Sequence, residues 1–162
     1  MKRIICIIFL IALAIPSAAC AQNDYRTDVS AEELVSMVKT ALPLPDGYAS
    51  HGGDYLDFRF EGIDAYIENY AIIYSRDTRY ADLVAIFKAK SPDDANKAAE
   101  LCEQFIEDQR ALFSGIVERY LPSEKEKLES AKTERIGSYV IVSILSPSDA
   151  AKALSAIKTA LK

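Results

Sequence analysis

The only histidine, His51, stands in the run His51-Gly52-Gly53-Asp54, with Asp57 close behind. An imidazole beside carboxylates on a glycine-rich loop can act as a general base or begin a metal site. Neither the HExxH nor the EF-hand spacing is present, however, and a solvated loop explains the same residues. Cys102 is a nucleophile by type only. It shares an apolar helical stripe with Phe105 and Ile106, and no cation or helix N-terminus is at hand to lower its pKa, so it reads as core. Glu32-Glu33 and Asp93-Asp94 are paired acids, but each pair falls in the first turn of a helix, where the dipole favours negative charge. Glu124-Lys125-Glu126-Lys127 reads as a solvated helix surface. No G-x-S-x-G elbow, S-x-x-K, P-loop or dinucleotide fingerprint occurs. No catalytic residue, metal ligand or cofactor is therefore assigned, and the chain reads as a non-enzyme. The rival reading is a hydrolase that uses His51 with Asp54 or Asp57.

Nine tyrosines against no tryptophan is the one unusual count. Tyr70 and Tyr74 alternate along a candidate strand, and Tyr139 joins their face if its hairpin is the neighbour. Tyrosine offers amphipathic contact area at low entropic cost, which suits a glycan or a protein partner. Packing beneath the first helix or the 46–53 loop is the competing account, because strands favour tyrosine for packing alone.

The elements that must position these residues follow from caps and periodicity. Ser30-Ala31-Glu32-Glu33 spells a capping box, with Val29 and Leu34 placed as a hydrophobic staple. Leu34, Met37, Val38, Ala41 and Leu42 form one helical face before Pro43-Leu44-Pro45 stops the helix. Residues 46–53 read as a loop, and 55–60 as a short strand or a helical turn. Residues 70–75 and 81–90 read as strands joined by the polar 76–79 turn, the second apolar on both faces and so covered on both sides. Ser91-Pro92-Asp93-Asp94 opens a helix of about seven turns that closes at Leu121-Pro122. A short charged helix follows, then a hairpin across Gly137-Ser138. Ser146-Pro147-Ser148-Asp149 opens the last helix. Two β-β-α units in succession give an α+β fold: a mainly antiparallel sheet, their helices packed on one face, and an N-terminal helix elsewhere. The two Ser-Pro caps fit either an internal duplication or shared cap chemistry.

The chain has 162 residues, half of them hydrophobic, enough for one domain. Nineteen basic against 24 acidic residues leave no basic footprint for nucleic acid. Lys2 and Arg3 precede an uncharged apolar run ending at Pro16, and small residues follow it, the three parts of a secretory signal. That run is shorter than the roughly 18–20 residues of a spanning helix. Ala19-Cys20-Ala21 fits cleavage after Ala21, which discards the cysteine. It also fits a lipoprotein signal in which Cys20 becomes the lipidated first residue, although Ser17 stands where leucine is usual. Residues 1–21 are thus a signal, 22–29 a polar tether and 30–162 one α+β domain. With Cys20 lipidated or lost, no intrachain disulfide remains.

From Gly62-Ile63-Asp64 onward the order of features resembles an exported bacterial lipoprotein family, domain of unknown function 4358. The residues that carry the resemblance are the run 81–90 (Ala-Asp-Leu-Val-Ala-Ile-Phe-Lys-Ala-Lys), Asp93, Asp94 and Ala95. Gln109, Phe113, Tyr120, Pro122, Glu124 and the run Gly137-Ser138-Tyr139-Val140 continue it. The resemblance implies an envelope protein held to the membrane through Cys20, and it implies no activity. The expectation is an extracytoplasmic, lipid-anchored, non-catalytic module that binds an envelope protein or glycan through Tyr70, Tyr74 and Tyr139.

Overall fold

The computed structural model describes residues 25–162 except 45, 78 and 121. The proposed signal and Cys20 lie outside them. Helix α1 (Ala31–Ala41) begins as its cap requires. The Glu33 amide donates to the Ser30 hydroxyl at 3.2 Å, and the Ser30 amide donates back to the Glu33 carboxylate at 2.9 Å. Its buried side is Ala31, Leu34, Val35 and Val38, while Met37 and Ala41 point to solvent. The inward stripe is therefore rotated toward Val35 from the one expected.

Strand β1 (Tyr48–His51) occupies what reads as a loop, and helix α2 (Gly53–Arg59) replaces the possible strand at 55–60. The helical spacing buries Leu56 and Phe60 on one face and turns Phe58 away from them, at 77% exposure. β1 has little strand propensity of its own. Pairing with β2 (Ile67–Ser75) holds it, from Tyr48 opposite Ser75 to His51 opposite Ile72. Strand β3 (Leu83–Ala89) follows, then helix α3 (Pro92–Tyr120), a 3-10 turn at Pro122–Glu124 and helix α4 (Lys125–Glu129). Strands β4 (Lys132–Ile136) and β5 (Tyr139–Ile144) lead into helix α5 (Pro147–Ala160). The sheet is antiparallel throughout, in the order β1-β2-β3-β5-β4. The α+β class and the two β-β-α units stand.

Their helices, however, do not share a face. Ala95, Ala98, Cys102 and Phe105 of α3 pack with Ile72, Ala85, Phe87, Val140 and Val142. Leu34 and Val38 of α1 and Ile157 of α5, with Leu161 just beyond it, pack with Ile73, Val84, Ile86, Tyr139 and Ile141 on the reverse side. The expected one-sided packing is corrected by the central strands themselves. β3 and β5 are apolar at consecutive positions, so each face must be covered.

The two units meet across the β3–β5 pair. Ile86 and Ile141 hold the same place ahead of the two Ser-Pro caps, and they are partners across β3 and β5. Antiparallel neighbours are related there by a two-fold axis normal to the sheet. That rotation leaves both following helices on one side, whereas α3 and α5 lie on opposite sides. The units share cap chemistry and connectivity but not packing.

Candidate functional site

One end of the sheet is formed by the 76–82 loop, the start of β3 and the end of β5. Helix α3 runs about 43 Å at 1.5 Å per residue, well past the roughly 20 Å of a seven-residue strand. Its second half overhangs this end, and α4 folds back beneath it. The space between them is a cleft of about 230 Å³. His51, Tyr55 and Tyr74 line one side, Tyr80, Asp82 and Leu83 the loop side, and Gln109, Phe113, Glu124 and Leu128 the helical side.

Aromatic stacking positions the first wall. The His51 ring lies between Tyr55 (centroids 3.6 Å apart, planes 3° apart) and Tyr74 (4.0 Å, 12°). Burial, and secondarily the Arg59 guanidinium, hold the imidazole pKa below its ordinary value. Asp54 and Asp57 are not among the cleft-lining residues, and no hydrogen bond joins either to His51 among the described contacts. The dyad of the rival reading is thus not joined in this arrangement. Its ring is spent on fastening α2 to β1 and β2.

Buried charge organises the opposite wall. Lys127 Nζ lies 2.8 Å from both Asp82 Oδ2 and Glu124 Oε2, and the Ala81 amide donates to Glu124 Oε2 at 2.9 Å. Asp82 is 7% exposed and Glu124 3%. Burial opposes the ammonium charge, but hydrogen bonds from Lys127 to the two carboxylates outweigh it and raise the Lys127 pKa. This corrects the solvated reading of residues 124–127: two of the four belong to an internal ion cluster. The sequence sign of it was an acid, Asp82, at the mouth of an otherwise apolar strand.

Gln109 completes the site. The residue is 6% exposed and borders the cleft, yet Nε2 has no hydrogen-bond partner among the described residues. Buried amides nearly always have one. Asp82, Gln109, Phe113 and Glu124, scattered over more than forty positions, converge here; all four carry the family resemblance.

The remaining candidates separate. Tyr70 and Tyr74 share the α3 side of β2 and are half-buried. Tyr70 lines a different groove, between α1 and the sheet edge. Tyr139 is fully buried in the other core, and its hydroxyl donates to the Val29 carbonyl at 2.6 Å. The three-tyrosine face is therefore corrected: strand alternation puts Tyr139 on the reverse side. Cys102 is buried and free, its thiol pKa pushed up by burial. Asp94 accepts from the Ser91 hydroxyl at 2.6 Å, and Glu33 closes its capping box, so these acids serve helix starts. Among the described residues no group of three or more His, Cys, Asp or Glu could hold a metal ion. Among them, too, no helix is long and apolar enough to cross a membrane.

No curated protein and no solved structure matches the chain. A family model does, over residues 59–145, just over half of the sequence and including every buried acid of the cleft. The chain belongs to the family described as the domain of unknown function DUF4358.

Proposed function

We propose that this protein is a non-catalytic binding module of the bacterial cell envelope, exported and anchored through Cys20, which takes its partner in the cleft at the overhung end of the sheet. Gln109 is the observation that carries the reading. An unpaired buried amide donor costs about 1–3 kcal/mol, which an acceptor on a partner can return. The other lining side chains are mainly apolar, as in small-ligand and side-chain pockets. Two guanidiniums also line the cleft, but Arg79 is exposed and paired with Asp77 and Arg59 is only half-buried, whereas the carboxylates of Asp82 and Glu124 are buried and carry one more charge than Lys127 cancels, so the fitting group is uncharged, with an apolar body and a carbonyl oxygen. A protein partner presents that chemistry as a leucine- or phenylalanine-sized side chain beside a peptide carbonyl. Tyr80 on the rim is 49% exposed, and Phe58 and Leu112 are exposed beside the lining residues Arg59 and Phe113. Exposed apolar groups gathered around a cleft mark contact surfaces.

The test is capture from envelope extract by the wild-type chain and by Gln109→Leu and Tyr74→Ala. The reading predicts a saturable partner that both variants lose and that Met37→Ser, on the opposite face, retains. Equal capture by all four chains would remove the cleft from the account.

A further inference from the structure

We infer that the end of the sheet carrying the Gly137-Ser138 turn is the membrane-facing surface of the protein and that the cleft points away from the bilayer; this rests on the lipid-anchored reading of Cys20. Residues 25–29 are fastened to the body and do not hang from it. The Arg26 amide donates to the Leu161 carbonyl at 2.8 Å, and the Tyr139 hydroxyl holds the Val29 carbonyl. Tyr25 lies on the hairpin turn, where a Cβ on Gly137 would come within 3.3 Å of Tyr25 Cβ. Gly137 has φ +59°, so the turn demands glycine on its own account and the close approach adds a second reason.

Sheet register fixes which end this is. Tyr139 pairs with Lys88, and the Ala89 amide donates to the Ser138 carbonyl, so the turn sits at the far end of β3. Leu83 pairs with Ile144 at the other end, where both line the cleft. Anchor point and cleft are therefore separated by the length of the strands, roughly 20 Å at about 3.3 Å per residue. Five residue steps separate Cys20 from Tyr25, and a fully extended chain covers at most about 3.3–3.6 Å per step, or roughly 17 Å. A lipid at Cys20 cannot reach round the body to lay the cleft mouth on its own membrane. The partner then arrives from the aqueous side or from a facing structure, and membrane lipid is excluded as the cleft's occupant.

The experiment uses the full chain processed in a lipoprotein-forming bacterium, purified with its anchor and reconstituted on phosphatidylcholine vesicles containing nitroxide-labelled lipid. Lys162→Cys places a fluorophore beside the fastened segment, and Tyr80→Cys places one at the cleft; Cys102 is buried and does not compete for label. The inference expects the Lys162→Cys label to be quenched several-fold more than the Tyr80→Cys label. Equal or inverted quenching overturns it. A wild-type chain that fails to float with the vesicles also overturns it, by removing the anchor, while partner capture in solution remains a separate question.

Discussion

Gln109 borders the cleft and Lys127 pairs with two acids that line it, but substitution should move stability in opposite directions. Replacing a buried amide that has no partner by an apolar side chain of similar size removes a desolvation cost. Gln109→Leu should therefore leave stability unchanged or raise it by about 1 kcal/mol, read from the urea midpoint. A loss above about 1 kcal/mol would mean the amide is bonded in solution. Lys127 is the common partner of two nearly buried carboxylates. Its replacement by methionine takes the cation from both, although Glu124 keeps the Ala81 amide, and breaking a buried pair in this way costs about 3 kcal/mol. A midpoint unchanged by Lys127→Met would show the cluster to be solvated. His51 adds a pH signature of definite sign. Its folded pKa lies below the ordinary 6.5, so the unfolded chain takes up the proton first. This contribution to stability is complete above about pH 6.5 and is lost as the pH falls below it. His51→Phe, which keeps a ring in the stack, should flatten that slope in melting temperature between about pH 7.5 and pH 5. A slope as steep as wild type would place the titrating group elsewhere.

At the scale of elements, what could be read in the sequence was whatever a few adjacent residues dictate. The Ser30 box, the two Ser-Pro caps and the doubly apolar β3 each carry their own signal, and each forms. β1 carries none: Tyr48-Ala49-Ser50-His51 becomes a strand only because β2 offers an edge. α2 was ambiguous because Leu56, Phe58 and Phe60 satisfy a period of two; the helical period separates Phe58, which is exposed, from Phe60, which packs against Phe87 and Phe105 at 5.0 and 4.3 Å between ring centroids. The cleft was out of reach for the same reason. Asp82, Gln109 and Glu124 belong to three elements, and nothing local announces that the overhang of α3 brings them together. Tyr139 illustrates the matching error, since alternation fixes its side of the sheet only once the register with β3 is known. Its hydroxyl bond to Val29 also yields a prediction for the fastened segment. Tyr139→Phe should cost about 1 kcal/mol and expose residues 25–29 to protease well before the body. Unchanged cleavage rates would show that packing of Tyr25 and Val29 alone holds the segment.

As a whole molecule, the protein divides its tasks along the strand axis. One sheet carries two cores, α3 over one face and α1 with α5 over the other, and this rigid slab separates the end that holds the N-terminal segment from the end that holds the cleft. Polar groups collect where α3 outruns the sheet, and the surface we propose for recognition is built there: stacked rings, two buried acids sharing one ammonium, and one amide without a partner among the described residues. That assignment is the central claim, and the most direct test is a nuclear magnetic resonance titration of the 15N-labelled full chain in detergent. N-acetyl-leucinamide supplies the uncharged apolar body and carbonyl, and N-acetyl-leucine supplies the same body with a carboxylate. The account predicts that the amide probe shifts the Gln109 side-chain Nε2 resonances together with the backbone signals of Tyr80 and Phe113, and that the carboxylate probe does so far more weakly. Shifts confined to other surfaces, or a carboxylate probe that binds equally well, would contradict it.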